Sequence, residues 1–210
     1  MIFILLWMAG FALIHSLTAD KRTKRAFARL FGERARYGFY RLLYNIVSLL
    51  TLAPVLLYAT QNGHVIWQVP APLVPVFIGI QLIGVIGLLI SVGQIDGQRF
   101  LGLRQVRAYF NNDPLPLPDE SLQTDGLYAY MRHPLYVFSL LVIWFMPTMT
   151  DTFLTLNIGI TLYFLIGSRI EEQRMMTHYG DDYKHYREQV PWMLPDIPRI
   201  VQDVRTSRNR

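Results

Sequence analysis

The sequence predicts an all-α integral membrane protein with about five transmembrane helices, the last two forming a C-terminal hairpin. Three observations predict it. The apolar residues fall in long blocks almost free of charge, only 17% of the 210 residues are charged, and the basic residues gather at alternate junctions between the blocks. A bilayer core of about 30 Å needs roughly 20 apolar residues per helix, so spans are the units to count. There is no cysteine, which excludes disulfides, thiolate nucleophiles and cysteine-based metal or iron–sulfur sites. The net charge of +5 reports topology first. Nucleic acid is not an expected partner, because no basic stripe interleaved with aromatics forms a reading surface.

The first block, Met1–Thr18, carries no charge. It lacks a basic leader and an Ala-x-Ala-like cleavage site, and is read as a retained first helix. The second runs from about Tyr37 to Thr60 with Arg41 near its start, and the third is Leu73–Gly93. The fourth, Pro134–Gly167, is too long for one helix and contains the reversal signal Met146-Pro147-Thr148-Met149-Thr150-Asp151. It divides into arms over about 135–148 and 152–169, each roughly 21–27 Å long at 1.5 Å per residue.

Charge tests this division. Lys21, Arg22, Lys24, Arg25, Arg29, Arg34 and Arg36 follow the first span. Arg99, Arg104, Arg107 and Arg132 follow the third, and Arg169, Arg174, Lys184, Arg187 and a basic tail follow the fifth. The segment Gln61–Pro72 and the turn Met146–Asp151 contain neither lysine nor arginine. All 20 basic residues thus fall on one side, cytoplasmic by the positive-inside rule. The expectation is a protein of bacterial inner-membrane type, N-terminus outside and C-terminus in the cytoplasm. Residues 1–198 are read as a single membrane-embedded domain and 199–210 as a basic, disordered tail near lipid headgroups. The proline-rich stretch 111–123 is read as a connector capping the site.

Polar chemistry concentrates in two segments. One is Thr124–Tyr136, containing Tyr128, Arg132, His133, Pro134 and Tyr136. The other runs from Arg169 through Glu171 and Glu172 to Tyr183, Tyr186, Val190 and Pro191. A hairpin with nearly equal arms returns Arg132 and His133 to the depth of Glu171 and Glu172. Pro134 suits the first turn of a helix, where its missing N–H costs nothing, and it pushes His133 out of helical geometry. Singly, these side chains have ordinary roles: arginines at span ends anchor topology, and one of two adjacent glutamates faces solvent. Gathered at one membrane boundary, they form a candidate ligand site. Carboxylates accept from an ammonium, arginine grips a carboxylate and tyrosine faces attract a cation, so the expected ligand is a cationic or zwitterionic small molecule. No metal is expected, since His133, His178 and His185 have no ligand spacing. Gly79, Gly84 and Gly87 lie inside a span and are read as helix-packing positions.

The run Gly126–Tyr136 with its Arg132-His133-Pro134 core, the pair Glu171-Glu172, then Tyr179–Tyr186 and Val190-Pro191, resembles the isoprenylcysteine carboxyl methyltransferase and phospholipid methyltransferase superfamily. His15-Ser16-Leu17, Phe100–Val106 and Pro147–Thr150 are similar to the methanethiol S-methyltransferase branch, and NnrU-like proteins share part of the N-terminal pattern. The resemblance implies S-adenosyl-L-methionine as cofactor and a cytoplasmic cofactor-binding end. Arg132, His133, Tyr136, Glu171, Glu172 and Tyr128 would line that end, with Tyr183 and Tyr186 closing over it. His133 and Arg132 are the catalytic candidates, His133 as a general base for a thiol acceptor. His15, Asn45, Arg104 and Gln105 are the acceptor-side candidates. One departure stands out: Val137 and Phe138 occupy positions where many relatives have a small residue.

The expected activity is methyl transfer to a small or membrane-soluble thiol. The alternatives are an isoprenylcysteine carboxyl or phospholipid amine acceptor and, in another class, a non-enzymatic NnrU-like ligand-binding membrane protein. A reductase of sterol-reductase type is disfavoured, since those chains have about twice the spans. Lipid and the methyl acceptor are the expected partners, and no protein partner is required.

Overall fold

The computed structural model describes residues 2–208, and among these it is an all-α integral membrane protein. Backbone groups have no water to bond in a bilayer, so apolar blocks must satisfy themselves as helices. They do so over α1 (Ile2–Ala19), α3 (Glu33–Gln61), α4 (Val74–Gly93) and α8 (Asp151–Tyr179). These four, with α4 entered through a 3-10 turn from Ala71, are long and apolar enough to cross a membrane. At most 17% of each span is buried within the protein, so lipid is the solvent for most of their surface. The polar helices α2 (Lys21–Phe31), α5 (Gly97–Leu101), α6 (Leu103–Phe110) and α9 (Asp181–Gln189) lie between or after them.

Two expectations change. The fourth span, expected over 135–148, is α7 (Pro134–Trp144), an apolar helix of 11 residues or about 16 Å. Beyond Trp144 the chain passes through Met146 and Pro147 into a short strand, β2 (Thr148–Thr150), paired with β1 (Val65–Gln68). Its partner arm is longer than expected. α8 continues ten residues past Arg169, because Glu171–Tyr179 contains strong helix formers and lacks proline or glycine. The chain closes with α10 (Ile197–Arg208), opened by Asp196, whose Oδ1 accepts from the Arg199 backbone N–H at 3.1 Å. Asn209 and Arg210 lie outside the described residues.

The chain forms two compact units. The first takes the chain up to Trp67, Asp96–Glu120 and Met149–Gly159. In it α1 packs on α3, with the Tyr40 hydroxyl donating to the Thr18 carbonyl at 2.7 Å. Thr152 at the head of α8 donates to the Asn62 carbonyl at 2.6 Å, and the His64 N–H donates to Asp151 Oδ1 at 3.0 Å.

The second unit takes Gln68–Ile95, Ser121–Thr148 and the chain from Ile160 onward. Here α4 meets α7 across glycine. A Cβ on Gly87 would stand 2.2 Å from the Phe138 ring, and one on Gly84 would stand 2.8 Å from Val142. These two glycines are close-packing positions as expected, whereas Gly79 faces open space. Phe138 therefore fills the groove that glycine opens in α4. Gln81 adds a bond to the Val142 carbonyl at 2.8 Å, and Trp144 donates to Thr161 on α8 at 2.9 Å. A small core of Tyr183, Tyr186 and Val190 with Leu122, Met175, Met176 and Tyr179 seats α9.

Candidate functional site

The site is built within the second unit, around the break before α7. Proline at the first turn of α7 leaves His133 at φ −125°, ψ 58°, outside the helical region. The freed backbone is satisfied from the C-terminal segment. The Arg132 N–H donates to the Pro191 carbonyl at 3.0 Å, and the His133 N–H donates to the Trp192 carbonyl at 3.2 Å. Upstream, Gly126 at φ +63° turns the chain so closely against Gln94 that a Cβ would overlap its amide. Gln94 Oε1 accepts from the Leu127 N–H at 3.0 Å.

Arg132 and Glu172 form the buried centre, with side chains 8% and 5% exposed. Arg132 Nε donates to Glu172 Oε1 at 2.7 Å, and its Nη1 donates to the carbonyls of Arg187, at 3.0 Å, and Val190. One guanidinium therefore joins three segments of chain. His133 Nε2 stands 3.3 Å from the same Glu172 oxygen. That oxygen only accepts, so Nε2 carries the proton and Nδ1, 3.8 Å from Glu171 Oε2, carries the lone pair. Burial lowers the pKa of His133, against the opposing pull of Glu171 and Glu172. The ring is neutral at neutral pH.

Glu171 differs from its neighbour. Its side chain is 41% exposed, and the Tyr136 hydroxyl donates to its Oε2 at 2.7 Å. Tyr136 stacks between His133, at 5.3 Å, and Phe164, at 4.6 Å. The result is a half-open carboxylate beside a row of aromatic faces. Tyr186 donates to the Tyr128 carbonyl at 2.7 Å and so ties α9 to the motif. Burial, with Glu171 adding to it, pushes Tyr128 up to about 12, and burial with Glu172 does the same for Tyr183. Tyr186 is raised further, again chiefly by burial. These phenols stay protonated. Electrostatically, the arrangement suits a cation at Glu171.

The structure thus gathers Arg132, His133, Tyr136, Glu171 and Glu172, with Tyr128, Tyr183 and Tyr186 around them. The four acceptor-side candidates belong to the first unit. His15 Nε2 lies 2.6 Å from the Tyr44 hydroxyl and its Nδ1 lies 3.0 Å from Ser48. The other three converge on the α5 turn. Asn45 donates to the carbonyls of Phe100 and Leu101 at 3.0 Å each, Arg104 pairs with Asp96, and Gln105 donates to the Arg99 carbonyl at 3.1 Å.

Sequence reasoning missed Trp192. Its carbonyl holds the His133 backbone, its indole lies 3.8 Å beneath the Arg169 guanidinium, and its buried Nε1 has no hydrogen-bond partner among the described residues. The only signal was its position directly after the Val190-Pro191 pair.

Comparison with known proteins places this geometry in a lineage. The NnrU protein family model matches residues 3–191. The chain belongs to the NnrU family. The match is not confined to the N-terminal pattern and covers the carboxylate cluster as well. This NnrU-family chain is 31% identical over 191 residues to a methanethiol S-methyltransferase of Crocosphaera subtropica, covering 89% of the chain and 71% of that protein. It is 40% identical over 85 residues to a protein-S-isoprenylcysteine O-methyltransferase of Schizosaccharomyces pombe, covering 38% of the chain and 35% of that enzyme. It is also 28% identical over 187 residues to Nurim of Xenopus laevis, covering 86% of the chain and 61% of that protein. No solved structure matches the chain.

Proposed function

We propose that this NnrU-family protein is a membrane methyltransferase that uses S-adenosyl-L-methionine to methylate a small or membrane-soluble thiol of the methanethiol type at the cytoplasmic face. The observation that carries the reading is Glu171, a half-exposed carboxylate beside Tyr136 and stacked aromatic rings, next to the closed Arg132–Glu172 pair. The relatives named as methyltransferases support the chemistry.

The residues present fit the cofactor's charge pattern. Glu171 offers acceptor capacity for an ammonium, the ring of Tyr128 favours a sulfonium, and the buried Trp192 Nε1, without a partner among the described residues, offers a donor. When bound, the cofactor supplies an electrophilic methyl group. In-line transfer depends on positioning more than on acid–base machinery. Arg132 and Glu172 act in this reading as the brace that fixes the motif, while the segment around Tyr183 and Tyr186 excludes water. A thiol acceptor reacts as its thiolate. Neutral His133, with Nε2 engaged by Glu172, has Nδ1 as the lone pair able to take that proton.

Calorimetry of S-adenosyl-L-methionine with the detergent-solubilised protein tests the reading. Micromolar binding is expected for the wild type and none for folded Glu171→Ala. Methanethiol then heads the screen, with isoprenylcysteine and lipid amines as the other acceptor classes. A second reading rests on the extended similarity to Nurim, whose name carries no transferase activity. In that reading the chain binds a ligand without catalysis. Absence of cofactor binding by folded wild type, with acceptors present, would overturn the first reading and leave the second.

A further inference from the structure

Five of the 11 residues of α2 are cations: Lys21, Arg22, Lys24, Arg25 and Arg29. Single residues, Asp20 and Gly32, join this helix to the spans α1 and α3, so it is confined to the membrane boundary. Winding at 3.6 residues per turn brings Lys21, Arg22, Arg25 and Arg29 within an arc of about 100°. The opposite face presents Phe27, Leu30 and Phe31. Phe27 packs edge-on against Tyr40 of α3 at 5.2 Å, while Leu30 and Phe31 are 77% and 63% exposed.

Topology alone requires positive charge on this side, but neither its segregation onto one face nor an apolar edge beyond α3. The electrostatics also call for an external anion. Asp20 caps the helix with one carboxylate, its Oδ2 accepting from the Arg22 N–H at 3.0 Å, whereas the first turn itself holds Lys21, Arg22 and Lys24 and no acid. Elsewhere in the same unit, Arg36, Arg99 and Arg104 each meet a carboxylate, whereas on the α2 face Arg25 Nε reaches only the Lys21 carbonyl, at 3.4 Å. Among the described residues no acidic group forms an ion pair with the exposed side chains of Lys21, Arg22, Arg25 or Arg29.

We infer that α2 lies in the membrane plane with Leu30 and Phe31 in the acyl boundary, and that its cationic face binds the phosphate headgroups of acidic phospholipids. Such a helix combines apolar insertion with attraction to anionic lipid.

The test is competitive lipid retention. The purified full chain in neutral detergent is given equal phosphatidylglycerol and phosphatidylcholine, and bound lipid is read by native mass spectrometry. Wild type should retain phosphatidylglycerol about fivefold over phosphatidylcholine at low salt. Arg22→Gln/Arg25→Gln/Arg29→Gln should fall to parity, and Arg205→Gln should keep the preference. Because the triple variant must fold to be read, a salt series on wild type stands beside it. The preference should decline as ionic strength rises. Equal retention by wild type, indifference to salt, or an unchanged preference in the folded triple variant overturns the inference; equal retention would leave the face to an acidic protein partner.

Discussion

At the scale of the residue, the Arg132–Glu172 pair carries the site's internal order. Both side chains are almost fully buried, and Arg132 also holds two carbonyls at the end of α9. A buried ion pair contributes little net stability against an apolar replacement of both partners, whereas removing one partner strands the other charge. Arg132→Met should therefore lose about 3–5 kcal/mol of stability. Arg132→Met/Glu172→Met should recover a large part of that, measured by denaturant titration in micelles. A double variant as unstable as the single one would mean that the carbonyl contacts, and not the stranded carboxylate, set the cost. The side chains of this pair were legible in the sequence, because proline fixes the entry to α7 and hairpin geometry returns Glu172 to its level. The carbonyls of Arg187, Val190, Pro191 and Trp192 were not, since a backbone acceptor has no sequence signature. Nor did a lone tryptophan after Val190-Pro191 announce that it would hold His133.

At the scale of the element, the contact of α4 with α7 depends on glycine meeting a ring. The periodicity of Gly84 and Gly87 was readable, but their partner was not, because sequence does not say which neighbouring span fills a groove. The departure at Phe138 acquires its meaning from that contact. Gly87→Ala should cost about 1–3 kcal/mol, since the added methyl overlaps the Phe138 ring and the core must shift. Gly79→Ala, which meets open space, serves as the comparison and should be neutral or mildly stabilising. Combining Gly87→Ala with Phe138→Leu should be less damaging than the sum of the two changes, with a coupling of about 0.5–3 kcal/mol. Strict additivity in the same unfolding assay would separate the glycine from the ring. The helix lengths were less legible than the contacts. Apolar composition continues past Trp144, so the sequence alone did not show that α7 stops there. Polar helix formers after Arg169 hid the continuation of α8.

At the scale of the whole molecule, the short α7 bears on the number of crossings and hence on which side the termini lie. Eleven helical residues rise only about 16 Å, but the chain does not turn back there. Beyond Phe145, at φ −96° and ψ 32°, the chain bends through Met146 and Pro147 into β2. Pairing fixes both ends. β2 joins β1, which follows α3, and the Val69 N–H donates to the Pro147 carbonyl at 2.9 Å. The Leu127 N–H meets Gln94 at the other end of α4. The stretch that contains α7 therefore runs alongside α4, and the expectation of five crossings rests on its adding one to the four long apolar helices. On the five-crossing reading the termini lie on opposite sides, with the C-terminus cytoplasmic by the positive-inside rule. The absence of cysteine makes this directly measurable. A single cysteine introduced as Gln61→Cys, beside β1, should react with an impermeant maleimide in intact cells, and Glu188→Cys on α9 should react only after the inner face is opened. Labelling of both positions from the same side would overturn the five-crossing reading and, with it, the cytoplasmic placement of the Glu171 site.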